Sequence, residues 1–426
     1  MHTDGRSNRF SPARGARALR VVLMATALAL SGAAVAQDKP AARPEVGKPL
    51  QTAQELAKKG QHKQALAEIQ KADKVAGKSP YEQFLVDQTQ AYVYLGMKQP
   101  EKAAEALEAA MKAGNLSPED RKDRLGALAK LHYQAGNYDQ AVDYGNRAIK
   151  EGADDGTLRV LVAQALFTQK KFNDAAQMIQ PAIQAAEKAG KPPQEDWLQM
   201  AANAYHQSGD KKNFVDAMER LVRHYPNPDY WDGLLSVVTQ TPGFSDRLNF
   251  DVEKLRLATG SMGAPEQYTE MAQQALLAKF PNEARAILDR GVKDGKLGTG
   301  PDAARHQRLL EYATKQAEEG QAALAAREQE AQAAKTGDAL IDAGRAYASY
   351  GMYPKAIAAM EAGMKKGGIT RPEHARLRYG VTLLEAGQDA KAQQVLKSVK
   401  GTDGAAQLAR LWLLHKRPQV ATAAAQ

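Results

Sequence analysis

The stretch Gly136–Ala148 (GNYDQAVDYGNRA) decides the fold, because its spacing returns along the chain. Gly60–Ala72 (GQHKQALAEIQKA), Gly351–Gly363 (GMYPKAIAAMEAG) and Gly387–Val399 (GQDAKAQQVLKSV) repeat it: glycine, then alanine five residues on, then a small residue seven further. Ala103 with Ala110 and Ala175 with Ala182 keep the seven-residue offset. Glycine ends a helix by taking the left-handed turn that sends the chain back. The first alanine then stands where two antiparallel helices cross most closely, and the second where the next pair arrives. A self-similar period of this length signals a stack of helical hairpins.

The anchor alanines fall at 65, 103, 141, 175, 217, 284, 356 and 392. Most intervals lie between 34 and 42, whereas the steps of 67 and 72 are close to twice the repeat. One degenerate hairpin is therefore expected near Asp229–Thr259 and another near Arg305–Lys335. Ala405–His415 (AAQLARLWLLH) reads as a final capping helix. Aromatics are only 6% of the chain and Ala-rich runs such as Ala325–Lys335 favour helix over strand, so the whole reads as all-α.

This pattern resembles the tetratricopeptide repeat (TPR) family. The resemblance implies a right-handed α-solenoid of about ten TPR-like helix-turn-helix hairpins with a C-terminal capping helix, and a protein-binding role. Gly344 and Gly380 supply the small residue the family places at the centre of its first helix. The sequence departs from the family in three ways. The early tryptophan appears only at Trp197 and Trp231, Pro281 stands where a turn residue belongs, and Pro242–Gly260 fits the template poorly. Gly291–Gly300 (GVKDGKLGTG) reads as a loop.

The N-terminus carries Arg6, Arg9, Arg14, Arg17 and Arg20, then the apolar run Val21–Ala34, then Ala34-Val35-Ala36. A positive segment, a short apolar core and a small-residue site form a secretory signal, with cleavage expected after Ala36 and a retained anchor helix as the alternative. The expected organisation is a signal peptide over 1–36 and a flexible leader over 37–48. An N-terminal stack over 49–260 follows, then a C-terminal stack with its capping helix over 261–416 and a disordered tail over 417–426. The expected location is the periplasm. The net charge is +9; five Arg against one Asp in the first 36 residues supply +4 of it, leaving +5 on the rest. So modest an excess, without basic blocks interleaved with aromatics, gives no support to nucleic-acid binding.

There is no cysteine, which removes disulfides, thiolate metal sites, Cys nucleophiles and a lipidation site. The eight histidines are scattered singly, without metal-ligand spacing. Gly291–Gly300 lacks the Lys-Ser/Thr of a phosphate loop, and Gly243-Phe244-Ser245-Asp246 lacks the second glycine of a nucleophile elbow. The expectation is a non-enzyme without cofactor or metal and without an integral membrane segment in the mature chain.

A hairpin solenoid binds along the face lined by its first helices. Helical spacing places Gln90 and Tyr94 there, then Lys130, Tyr133 and Gln134, then Gln164 and Thr168, then Asn203, His206 and Gln207. Amides, tyrosines and one cation suit an extended peptide or a protein of the cell envelope. Some family members hold a partner's terminal carboxylate through paired Lys and Asn; Lys130 and Asn203 are present here, but a second pair is not. Arg345 with the apolar trio Val381, Leu383 and Leu384 hints at a second, more hydrophobic site near the C-terminal stack, but the trio reads first as ordinary core. His224–Trp231 (HYPNPDYW) and Leu248–Gly260 (LNFDVEKLRLATG) resemble a stretch of exported TPR proteins counted as candidate components of TonB-type energy-transduction systems. That resemblance implies a periplasmic accessory of such a system. A carbohydrate or cell-wall binding module is the alternative function; solvent-exposed aromatics on one face would favour it, and the chain has only three tryptophans, Trp197, Trp231 and Trp412, two of them at packing positions.

Overall fold

The computed structural model describes residues 41–113, 116–153 and 156–416. The signal peptide, the first four residues of the expected leader and the tail 417–426 lie outside the described residues. The described chain is helical and divides into two compact units between Asp210 and Lys211.

The first unit holds α1 (Pro44–Lys58), α2 (His62–Asp73), α3 (Pro80–Gly96), α4 (Pro100–Ala113), α5 (Pro118–Gln134), α6 (Tyr138–Lys150), α7 (Thr157–Thr168), α8 (Phe172–Lys188) and α9 (Glu195–Ser208). The second holds α10 (Lys211–His224), α11 (Pro228–Thr239), α12 (Asn249–Thr259), α13 (Pro265–Leu277), α14 (Pro281–Lys293), α15 (Ala303–Ala322), α16 (Leu324–Ala333), α17 (Asp338–Ser349), α18 (Tyr353–Lys366), α19 (Pro372–Glu385), α20 (Asp389–Ser398) and α21 (Ala405–His415).

The repeat reading accounts for the hairpins. All eight anchor alanines are buried, seven of them completely. A Cβ on Gly344 would stand 2.5 Å from Met360 Cγ and 2.8 Å from the Ala356 carbonyl, so α17 and α18 cross at glycine against the anchor alanine's backbone. Gly60, Gly136, Gly351 and Gly387 take positive φ between 71° and 81°. The same conformation is held by Lys98, Lys170 and Lys279, at φ 56°, 59° and 61°. Each lysine lies five residues before an anchor, at Ala103, Ala175 and Ala284, as the glycines do. Their N–H groups close the same turn, Lys98 to Leu95 O and Lys279 to Leu276 O at 3.0 Å, matching Gly136 to Tyr133 O at 3.1 Å. Pro281 is thus not a misplaced turn residue: Lys279 makes the turn and Pro281 opens α14. Aromatics two residues past the turn clamp the hairpin, Tyr138 edge-on to Tyr133 at 5.6 Å and Phe172 edge-on to Phe167 at 5.0 Å.

Helix α1 starts at Pro44, inside the segment expected to be a flexible leader. Proline suits the first helical position. Arg43 immediately before it donates through Nε to Glu82 Oε1 at 2.9 Å and through Nη2 to Glu82 Oε2 at 3.0 Å. Val46 and Leu50 are then fully buried against the first hairpins.

The second unit departs from an open stack. Expected hairpin Asp229–Thr259 is present as α11 and α12. Around Arg305–Lys335, by contrast, α15 and α16 join without a reversing turn. Hydrogen bonds run on through Ala323, from its N–H to Glu319 O and from Arg327 N–H to its own carbonyl, giving a bent helical arm. Helix α14 packs on α15 and α17 on α16, so the arm bridges two hairpins instead of forming one.

The capping helix α21 packs on α19 and α20 as expected, and also on α10 and α12. Arg410 Nη2 of α21 meets Glu219 Oε1 of α10 at 2.5 Å, across 191 residues of sequence. The Trp231 ring of α11 stands edge-on to His415 at 6.0 Å. The Ser245 N–H donates to Asp403 O at 2.9 Å, and Phe244 packs where a Cβ on Gly404 would sit. His374 Nε2 lies 2.7 Å from Asp403 Oδ2 and fixes the loop before α21 from the α19 side. The unit therefore closes on itself. Pro242–Gly260 fits the repeat template poorly because it serves as the seam that receives the C-terminal segment. The same closure explains why the contacts divide the chain at 210/211 and not at 260/261: α10–α12 are gripped from the far end of the sequence.

Candidate functional site

Two places gather chemistry-bearing side chains, one in each unit. In the first unit α1 packs on α3, α5 on α7 and α7 on α9, while α3 and α5 are joined through α4, which packs on both. The ten residues expected on this face all lie on them: Gln90 and Tyr94 on α3; Lys130, Tyr133 and Gln134 on α5; Gln164 and Thr168 on α7; Asn203, His206 and Gln207 on α9. None is buried. Gln134, Thr168, His206 and Gln207 are exposed, and the other six are half-buried. Gln90 Nε2 donates to Tyr94 Oη at 3.3 Å, and Lys102 stands 5.7 Å above the Tyr94 ring. Tyr133 is pressed on Tyr138, and burial raises its phenol above the ordinary range. Thr168 Oγ1 is turned back to the Gln164 carbonyl at 2.9 Å.

In the second unit a cleft of about 230 Å³ lies among α12, α13, α14, α17, α18, α19 and α21. Its charged residues form two interlocks. Arg378 of α19 grips Asp251 of α12 with Nε at 3.1 Å and Nη2 at 2.9 Å. Lys254, one turn along α12, stands 3.3 Å from Glu283 of α14 and 3.1 Å from Glu385 of α19. Burial works against the Lys254 charge, but Glu385 and Glu283 outweigh it and hold the ammonium above its usual range. Arg378 behaves alike: burial disfavours its charge and Asp251 more than compensates. Arg345 of α17 lies with its guanidinium 4.2 Å over the Phe280 ring, a cation–π contact that sets its plane. The apolar wall includes Phe250, Met271, Ile287, Val381 and Trp412.

The sequence reading caught Arg345 and Val381 in this cleft. Leu383 and Leu384 are core, fully or nearly fully buried, in line with the ordinary-core reading of the trio. It missed Asp251, Lys254, Glu283, Arg378 and Glu385. The available signal was local: Asp251 and Lys254 at i and i+3, and Arg378 and Glu385 at i and i+7, each put two charges on one helix face. Among the described residues no group of three or more His, Asp or Glu side chains is arranged to hold a metal ion. No helix among them is long and apolar enough to cross a membrane.

No protein-family model and no curated protein matches the chain. Among solved structures it is similar to YrrB, a TPR protein with an unusual peptide-binding site, at 17% identity and TM-score 0.34, over 43% of this chain and 89% of that one. It is similar to a tetratricopeptide repeat protein from Parabacteroides merdae at 11% identity and TM-score 0.35, over 64% of this chain and 100% of that one. A third is the C-terminal part of a TPR repeat-containing protein from Cytophaga hutchinsonii, at 13% identity and TM-score 0.36, over 60% and 98%.

Proposed function

We propose that the chain is a protein-binding scaffold of the bacterial periplasm, acting through the first-helix face of its first unit and not as an enzyme. One observation carries the reading: Gln90 to Gln207 supply amide, phenol and ammonium groups from four first helices, and none of them is buried. An extended peptide needs donors and acceptors at intervals along its backbone, and stacked first helices supply them at the repeat spacing. The export-type N-terminus supports the periplasmic location. The resemblance of residues 224–260 to exported TPR proteins supports a role as accessory to a TonB-type system. The glycan-binding alternative is weakened because Trp197, Trp231 and Trp412 are buried and the exposed tyrosines Tyr92 and Tyr312 lie one in each unit.

The test is affinity capture from solubilised envelope with the chain from Gln37 onward. The expected result is one dominant membrane-transport component, lost when Lys130, Tyr133 and Asn203 are changed together to alanine in a variant that keeps its helical circular dichroism. Equal recovery by that variant sinks the assignment of the face.

A further inference from the structure

The cleft of the second unit is lined by three carboxylates, Asp251, Glu283 and Glu385, and three cations, Lys254, Arg345 and Arg378, and some hydrogen-bond donors of the two arginines are left over. Asp251 takes Nε and Nη2 of Arg378, and Glu283 and Glu385 share Lys254. Arg378 Nη1 has no acceptor among the described residues. Arg345 reaches only Asp342, at a long 3.5 Å through Nη1, so its Nε and Nη2 have none. The half-buried Tyr353 hydroxyl also lacks a partner among them. All three residues line the cleft, facing a wall that includes Phe250, Met271 and Trp412. These donors keep contact with water in the open cleft, and a carboxylate that replaces that water gains charge-assisted hydrogen bonds, two of them from one guanidinium.

We propose that this cleft is a binding site for a small organic carboxylate with an apolar body. The carboxylate lies in the fork of Arg345, whose two free donors match its two oxygens, with Arg378 Nη1 and Tyr353 Oη as further donors. The body packs on the aromatic and aliphatic wall. The volume sets the size: about 230 Å³ holds roughly eight waters at ~30 Å³ each, room for a medium-chain acid and too little for an extended peptide. The site is separate from the first-helix face of the first unit, so either can fail without the other.

The test is calorimetric titration of the full chain at pH 7 with octanoate, 1-octanol and octylamine, three probes with one tail. Saturable octanoate binding is expected, at least about tenfold tighter than either other probe, which corresponds to about 1.4 kcal/mol. Arg345→Met keeps the apolar stem and is expected to weaken octanoate at least about tenfold while leaving 1-octanol unchanged. Tyr353→Phe removes one hydroxyl and is expected to weaken octanoate several-fold, and it decides the matter should Arg345→Met fail to fold. No saturable octanoate binding, equal or tighter binding of 1-octanol or octylamine, or octanoate affinity indifferent to the substitutions that fold would overturn the proposal.

Discussion

At the scale of single residues, the hairpins rest on two recurring demands: no side-chain bulk where helices cross and a left-handed residue where the chain turns. Glycine meets the second at no steric cost, whereas a lysine held there is strained by about 1–2 kcal/mol. Lys98, Lys170 and Lys279 carry that strain, at φ 56°, 59° and 61°. Replacing any one with glycine is expected to raise stability by a few tenths to about 1 kcal/mol, because relief of strain exceeds the added freedom of the unfolded chain. Thermal unfolding of the three single variants checks this, and a lowered midpoint in all three would show that the lysine side chains contribute more than the turn costs them. The alanine anchors were legible in the sequence because their offset is fixed. The lysine turns were not, since nothing in a lysine's chemistry announces a left-handed backbone; only the five-residue distance to the next anchor does.

At the scale of elements, α1 owes its position to a polar tie. Ser79 and Glu82 cap α3, Ser79 Oγ accepting from the Glu82 N–H at 3.2 Å and Glu82 Oε2 from the Ser79 N–H at 2.9 Å. The same carboxylate receives Arg43, so one side chain both starts α3 and fixes the entry to α1. The Arg43 hydrogen bond leads the causes that bring the Glu82 carboxyl down to about 2, against the opposing effect of burial. A carboxyl depressed by folding adds stability that is full above its unfolded value near 4.5 and is lost as pH falls through about 2. Glu82→Gln is therefore expected to unfold at a lower temperature than the parent at pH 7, with the gap closing between about pH 5 and pH 2. A gap independent of pH would mean that Glu82 acts by packing alone. The expected leader hid this element because Pro-rich polar sequence reads as mobile, while the partner that orders it lies 39 residues away.

At the scale of the molecule, the second unit is held by contacts that no repeat period encodes. Asp251–Arg378 spans 127 residues and Glu219–Arg410 spans 191, so periodicity could place each helix but not the closure. The core of that closure is α21, where Leu408 and Leu411 are fully buried and Trp412 nearly so. Trp412→Ala is expected to cost about 3–5 kcal/mol. Its signature in hydrogen exchange is lost protection in α10 and α12 together with α19 and α20; loss confined to α19 and α20 would mean an ordinary end cap. The same scale carries the functional account, and its most direct test is site-specific photo-crosslinking in living cells. A photoreactive residue is placed at Gln134, Thr168 or Gln207 on first helices, and at Asn146 of α6 or Gln177 of α8 as exposed second-helix controls. The account predicts one defined protein adduct from the three first-helix positions and none from the controls. Adducts of equal yield from both sets, or none from the first-helix set when the partner is captured by the intact chain, would contradict it.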